Sequence, residues 1–228
     1  MIKYMLQEFG GRGASLGTGI VDWLTKEAQK GNGTARAQPI DIRKYQGKSL
    51  EAIEGRIRRL KHEELFAVNQ RGEIIAAYKG RSTSVSFPVS LLEEEGITVT
   101  HGHPKGYEEF GGTFSFADIH NMLESKWQEH RATASGQGEM NYIMRRTKQA
   151  DPQGLRNRIN KDYLALKKKS RDAYQKAYQE YREEHGAKQA RHIARQKQVG
   201  ILNAYYREVF PEYGFEYVTR KKEYQYNR

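Results

Sequence analysis

His101 and His103 stand two residues apart at the end of an apolar, β-branched run, in a chain with only seven histidines. Alternate residues of a strand point to the same face, so both imidazoles should project together where this strand ends. Two imidazoles so placed can hold one Zn²⁺ if a third ligand and an open position for water are available. The pair therefore predicts part of a catalytic metal site.

The third ligand is expected from the helix that follows. Ser115 is a suitable N-cap, and Asp118 then lies in the first helical turn. The loop at 105–114 could fold this helix start back over the strand end. Two histidines, one aspartate and a water molecule indicate a catalytic zinc site, because structural sites fill all four positions. Such an ion lowers the pKa of its water toward about 7 and polarises a carbonyl. An ordinary capping box is the alternative interpretation of Ser-x-x-Asp.

The elements that must position these residues alternate between helix and strand, which predicts a compact α/β domain at about 47–146. In order, we expect a helix at 48–64, two strands around a turn at 64–80, a strand at 82–88, a short helix at 90–96, a strand at 97–104, a helix at 115–130 and closing strands at 131–136 and 140–146.

Two segments of different character flank this domain. Residues 1–46 are rich in glycine and predict a mobile arm or loop-rich lead-in, with a short helix at about 20–30. The region at 147–228 is basic and mainly helical, with apolar residues at heptad-like steps. Gly186 should break or bend its long helix, and the tail after Gly214 could add an edge strand.

Composition limits the possible classes of protein. The chain has 228 residues, of which 37% are hydrophobic, and its net charge is +11. It has no cysteine, so any metal must bind to histidine, aspartate or glutamate. No apolar run approaches the roughly 20 residues of a membrane-spanning helix, and no signal peptide is evident, so we expect a cytoplasmic protein.

The basic balance favours an acidic partner, most often nucleic acid. Tyrosines interleave with the basic residues of the C-terminal helices, which suggests a surface for phosphate contacts and stacking. A solvated helix whose tyrosines pack on the core is the alternative. The candidate nucleic-acid-binding residues are Lys167, Lys168, Lys169, Arg171, Arg182, Lys188, Arg191 and Arg195.

The order strand, His-x-His-Pro, loop, Ser-x-x-Asp, helix resembles the JAMM (JAB/MPN) metalloproteins, and most of all their RadC-like branch. The segments "EELFAVNQRGEIIAAYKG", "SVSFP", "TVTHGHP" and "FSFADI" follow the RadC-like order over about residues 50–125. The chain also resembles, more weakly, RadC-like proteins of phages and mobile elements. The resemblance implies a JAMM-like, cytidine-deaminase-like mixed sheet flanked by helices, here with a basic helical extension.

The resemblance also implies roles for particular residues. His101, His103 and Asp118 would bind zinc, Glu63 would deprotonate the bound water, and Ser115 would donate to the developing oxyanion. Two departures matter. The loop at 105–114 is about four residues longer than is usual in the family, and adjacent Glu64 competes with Glu63 because only one of them can face the metal.

These observations predict a zinc-dependent hydrolase that cleaves a peptide or isopeptide bond and docks nucleic acid or a nucleoprotein through its basic helices. Two alternatives stay open. One is a nucleic-acid-binding or phage-assembly protein that keeps the fold without catalysis. The other is a metal-dependent nuclease.

Overall fold

The structure, a computed structural model, describes residues 4–5, 37–82, 84–104, 112–134 and 140–221. Most of the predicted arm at 1–46, including its expected helix, lies outside the described residues, and so do residues 105–111 of the predicted long loop. The described chain is an α/β structure with a mixed seven-stranded sheet and a long C-terminal helix. None of the helices within these residues is long and apolar enough to cross a membrane.

Strands and helices alternate along much of the described chain. In chain order they are β1 (Tyr4–Met5), β2 (Gln38–Pro39), a 3₁₀ helix (Ile42–Tyr45), α1 (Leu50–Ile57), β3 (Glu64–Val68), β4 (Ile74–Lys79), β5 (Phe87–Pro88), a second 3₁₀ helix (Val89–Glu93), β6 (Thr98–His103), α2 (Phe116–Glu124), β7 (Glu129–Ala134), β8 (Met140–Arg146), α3 (Pro152–Glu212) and β9 (Phe215–Lys221).

The main sheet has the strand order β2-β4-β3-β6-β7-β8-β9. Strands β6 and β7 run parallel, and the other neighbouring pairs of this sheet run antiparallel. The two short strands β1 and β5 form a separate antiparallel pair. The centre of the sheet is therefore β6, the strand that carries His101 and His103.

Strand β3 shows how the sheet is buried on both sides. Leu65 and Ala67 face a large core that includes residues of α2 and α3, whereas Phe66 and Val68 face a smaller core under α1. Successive side chains of a strand point to opposite faces, so a strand that is covered on both sides has a continuous apolar sequence. The run "LFAV" within β3 follows this rule.

Three predicted elements differ from the structure. Helix α1 ends at Ile57, well before 64, and the strand expected at 82–88 is reduced to β5. The helix expected at 115–130 ends at Glu124, and residues 129–134 form β7 instead. In the third case the chain leaves the helix and pairs with β6, so a tertiary contact overrides a local helical pattern.

Helix α3 is a helical hairpin inserted between the neighbouring strands β8 and β9. Gly186 has a φ of 73°, and this left-handed residue breaks the helix as the sequence predicted. The two halves run antiparallel, because Arg158 pairs with Glu212 at 3.4 Å and the Tyr205 hydroxyl donates to Asp162 at 3.0 Å. The predicted edge strand is β9, so the region at 147–228 shares a sheet with the domain before it.

Candidate metal centre

The structure brings together the three residues predicted as metal ligands. His101 Nε2 lies 3.0 Å from Asp118 Oδ1, and His103 Nε2 lies 3.4 Å from Asp118 Oδ2. The two Nε2 atoms are 2.9 Å apart. All three side chains are buried, with at most 4% exposed. The strand period of two and the position of Asp118 in the first turn of α2 account for this convergence.

Gly102, between the two histidines, faces the other side of the sheet. A Cβ atom at this position would lie 3.3 Å from the carbonyl oxygen of Ile57 in α1. Glycine therefore lets α1 pack closely against β6 directly behind the imidazole pair. This contact fixes the end of the strand that presents both histidines.

Asp118 takes part in a capping box and in the histidine cluster at the same time. Its Oδ2 accepts hydrogen bonds from the Ser115 backbone N–H at 2.7 Å and the Ser115 hydroxyl at 2.8 Å. The Asp118 N–H donates back to Ser115 Oγ at 3.1 Å. Asp118 Oδ1 has no hydrogen-bond partner among the residues that the structure describes, and it lies 3.0 Å from His101 Nε2. The cap therefore fixes Oδ2, which also lies 3.4 Å from His103 Nε2, and leaves Oδ1 facing His101.

Backbone carbonyl groups determine where the imidazole protons lie. His130 Nδ1 is 3.1 Å from the carbonyl oxygen of Asp118, and His103 Nδ1 is 2.9 Å from that of Gly112. A carbonyl oxygen only accepts, so both Nδ1 atoms must carry the proton. Burial lowers the pKa of His130 to about 3, with a smaller contribution from His101, so this ring is neutral and its Nε2 is an acceptor.

This assignment extends to His101. His130 Nε2 lies 3.2 Å from His101 Nδ1, so His101 donates from Nδ1 and carries its lone pair on Nε2. His103 also carries its lone pair on Nε2. In the neutral rings the two Nε2 atoms with their lone pairs then lie 2.9 Å apart, and Asp118 Oδ1 lies 3.0 Å from that of His101, an arrangement that is repulsive without a positive charge. An additional proton on the imidazole pair or a bound metal ion would relieve this repulsion.

Two sets of residues could hold a metal ion here. Ligand atoms of the buried residues His101, Asp118 and His130 lie within 4.8 Å of one another. The set His101, His103 and Asp118 is tighter, with contacts between 2.9 and 3.4 Å. We favour the tighter set, because His130 Nε2 already accepts from His101 Nδ1 and His130 Nδ1 donates to a carbonyl. Two imidazole nitrogens and one carboxylate oxygen suit Zn²⁺, although imidazole also binds other transition metals.

Glu63 faces this cluster, and Glu64 does not. Glu63 is fully buried, and neither of its carboxyl oxygens has a hydrogen-bond partner among the described residues. It shares a face with Leu65, whose register partner is His101. Glu64 points the other way and forms an ion pair with Arg56 and a hydrogen bond with His62. Of the two glutamates, Glu63 is therefore the one that lies on the same side of the sheet as His101.

The two acids of the cluster are shifted in opposite directions. Burial, and after it the charge of Asp118, raises the pKa of Glu63 well above its usual value. Burial would also raise the pKa of Asp118, but the neighbouring His101 and, after it, His103 outweigh burial and hold that pKa well below its usual range. The cluster thus contains a strong proton acceptor beside a carboxylate that stays ionised, a pattern typical of functional sites.

His130 is the residue of this cluster that the sequence analysis missed. Its segment was predicted to be helical, whereas it lies in β7, where His130, Ala132 and Ala134 share one face. That face adjoins the His101 face of β6, because the two strands pair in parallel with Val99 opposite His130. A histidine alternating with small apolar residues is the signal that could have placed it in a buried strand.

The eight predicted nucleic-acid-binding residues all lie on α3, whereas the candidate metal ligands lie on β6 and α2. Lys167 and Arg195 are half-buried, and the other six are exposed. They lie on both halves of the helical hairpin.

No protein-family model, curated protein or solved structure significantly matches the chain.

Proposed function

We propose that this chain is a zinc-dependent hydrolase of the JAMM, RadC-like type that cleaves an amide or isopeptide bond. The observation that carries the proposal is the convergence of His101 Nε2, His103 Nε2 and Asp118 Oδ1 beside the buried Glu63 carboxyl. The resemblance of the His-x-His-Pro and Ser-x-x-Asp motifs to that family supports the same conclusion.

Each residue has a role that follows from its surroundings. His101, His103 and Asp118 would hold a divalent ion, which would polarise a substrate carbonyl and acidify a water molecule. Glu63 would accept a proton from that water and return it to the leaving nitrogen. Its raised pKa suits a group that must take up a proton near neutral pH.

Ser115 has a more restricted role than the resemblance implies. A hydroxyl group has one proton, and Ser115 donates it to Asp118 Oδ2 at 2.8 Å. In this arrangement Ser115 orients the aspartate. Donation to a developing oxyanion would require the hydroxyl to rotate away from Asp118, after which the Ser115 N–H would still hold Oδ2.

Metal analysis tests the first part of the proposal. Purified protein should contain close to one zinc per chain, and His101→Ala should lose it. Less than about one-third of a zinc per chain in both proteins would contradict a structured site with three ligands.

Hydrolysis assays test the second part. Isopeptide-linked and peptide substrates should be cleaved by the wild type, and a chelator should stop the reaction. Glu63→Gln should abolish cleavage, whereas Glu64→Gln, a matched change at the adjacent residue on the opposite face, should leave it measurable. If Glu63→Gln cleaves as fast as the wild type, Glu63 is not the proton acceptor.

Two further candidate functions can be separated in the same experiment. The excess positive charge of α3 favours a phosphodiester substrate as the first of them, and chelator-sensitive nicking of plasmid DNA without peptide cleavage would identify a nuclease. A protein that uses this fold only to bind would retain nucleic-acid binding in both Glu63→Gln and His103→Ala and would cleave neither class of substrate.

A further inference from the structure

The helical hairpin formed by α3 carries its charges unevenly. Between residues 167 and 197 the sequence has ten lysines and arginines but only four acidic residues. Small or apolar residues recur on α3 at steps of three or four. Leu166, Ser170, Ala177, Ala190 and Ala194 are buried, and Ala173, Tyr181 and Ala187 are half-buried at the same spacing. Because the two halves run antiparallel, we take these positions as the contact between them. From these contact positions, the helical period determines on which face of the hairpin each other residue lies.

The position after each contact residue defines one face of the hairpin, which we call the basic face. An antiparallel helix pair has a twofold axis perpendicular to the plane of the two helix axes, and this axis keeps each face on its own side. Positions that follow a contact residue therefore lie on the same side in both halves. The basic face consists of Lys167, Arg171, Tyr174, Tyr178, Arg182, Lys188, Arg191 and Arg195.

The opposite face differs sharply in charge. The positions that precede the contact residues include three lysines, Lys169, Lys176 and Lys197, together with Asp172 and Glu180. The basic face has six cationic side chains and no acidic one. A need for solubility does not explain why acidic residues are absent from the basic face. This segregation of charge indicates a surface that binds a polyanion.

Aromatic rings lie within the same face. Tyr174 and Tyr178 are stacked, with centroids 6.2 Å apart and planes at 9°, and the Arg182 guanidinium lies 6.0 Å from the Tyr178 ring. Both tyrosines are half-buried. Flat rings between cations are the elements with which proteins hold nucleic-acid backbones and bases.

We propose that the basic face is a docking surface for nucleic acid, bound through its phosphodiester backbone without sequence preference. From residue 167 to residue 182 the helix rises about 22 Å, at 1.5 Å per residue. At about 3.4 Å per phosphate along one strand, six or seven phosphates match this length. The surface lies on α3 and does not involve the metal ligands, so it stands independently of the proposed hydrolase.

A pair of triple variants tests this surface. Arg171→Gln, Lys188→Gln and Arg191→Gln together remove three charges from the basic face. Lys169→Gln, Lys176→Gln and Lys197→Gln remove three charges from the opposite face, and all six residues are exposed. The full-length chain is titrated into a labelled 20-base-pair DNA duplex and into its separated strands, in excess chelator, at several salt concentrations.

The wild type should bind both forms of DNA, with a logarithm of affinity that falls linearly with the logarithm of salt concentration. The basic-face variant should weaken binding and reduce that slope by up to about three, one for each phosphate contact removed. The opposite-face variant should keep a slope close to that of the wild type. A third triple variant, Arg171→Lys, Lys188→Arg and Arg191→Lys, keeps the three charges of the basic face and should bind DNA like the wild type.

Three results would overturn the proposal. They are no detectable DNA binding at about 50 mM salt, an equal loss of slope in both triple variants, or tighter binding to phosphatidylserine vesicles than to DNA. Because chelator is present throughout, none of these results depends on whether the metal centre is active.

Discussion

Replacing His130 by phenylalanine is the most direct test of the hydrogen-bond chain behind the metal centre. The imidazole of His130 packs 5.1 Å from the Trp127 ring and 5.3 Å from the Phe114 ring. Phenylalanine keeps an aromatic ring between these neighbours and removes both nitrogens. His101 Nδ1–H then loses its acceptor, and the carbonyl oxygen of Asp118 loses its donor.

The size of the effect follows from the position of the His101 proton. Without an acceptor at Nδ1, His101 can carry its proton on Nε2, where Asp118 Oδ1 lies 3.0 Å away. A metal ion must then displace this proton before it can bind. Mutating the hydrogen-bond partner of a metal-ligating histidine typically lowers metal affinity by about 10- to 100-fold, which is about 1.4–2.7 kcal/mol of binding free energy. His130→Phe should therefore weaken zinc binding by a factor within this range.

Competition with a chromophoric chelator at pH 7 measures the affinity for zinc. Two further variants serve as reference points for the effect of His130→Phe. His130→Gln supplies an amide oxygen that can accept from His101 Nδ1, so it should bind zinc better than His130→Phe. His103→Phe removes a ligand atom and should bind least. Urea unfolding in excess chelator measures any loss of stability of the metal-free protein separately.

The order of affinities decides the outcome. If His130→Phe binds zinc as tightly as the wild type, the tautomer argument is refuted. If His130→Phe loses zinc and His103→Phe retains it, the ligands are His101, Asp118 and His130. If His130→Gln is no better than His130→Phe, the acceptor at His101 Nδ1 does not control the site.

Three other predictions concern the same centre. The folded-state pKa of Glu63 is raised above its unfolded value, so the stability contributed by this group is fully present below about pH 4.3 and is lost as pH rises toward the raised pKa. In urea unfolding of metal-free protein, the free energy of unfolding of Glu63→Gln should therefore gain on that of the wild type as pH rises. A difference that shrinks with rising pH would contradict the shift. Gly112→Ala places a Cβ 2.8 Å from Ala134 Cβ at a φ of 97°, so it should move the carbonyl that orients His103 and weaken zinc binding, whereas Gly47→Ala, also at positive φ but with open space around it, should leave zinc affinity unchanged. Ser115→Ala removes a helix cap and a hydrogen bond to Asp118, so metal-free protein should lose about 1–2 kcal/mol in urea unfolding, and a loss below about 0.3 kcal/mol would show that the cap is not formed.

Local periodicity was sufficient to predict β6, the strand that carries His101 and His103. The alternation in "TVTHGH" placed His101 and His103 on one face, and the Asn69–Gly72 turn joined β3 to β4 as expected. The capping pattern located the start of α2 at Ser115. These features depend on contacts within a few residues, which is the range over which sequence patterns are informative.

Long-range pairing explains what the sequence did not reveal. Residues 125–130 continue a helix-like pattern, but the chain turns at Ser125 and the Trp127 indole donates to the carbonyl oxygen of Leu91 at 2.7 Å. Parallel pairing with β6 then draws residues 129–134 into the sheet and brings His130 behind His101. No local pattern encodes this contact, because its two partners are about 30 residues apart in the chain.

A capping box alone explains only part of this cluster. The cap accounts for Asp118 Oδ2 and the two Ser115 groups, and it is common at helix starts without any metal. It does not account for Asp118 Oδ1, for the two imidazole nitrogens at 2.9 Å, or for a Glu63 carboxyl with both oxygens unpartnered among the described residues. Leaving a buried polar group without a partner costs about 1–3 kcal/mol. Within the described residues, this applies to Asp118 Oδ1 and to both carboxyl oxygens of Glu63. A fold under no demand except stability would fill these positions with apolar residues. A bound cation would stabilise this arrangement, because the oxygen atoms and the imidazole lone pairs would then face a positive charge.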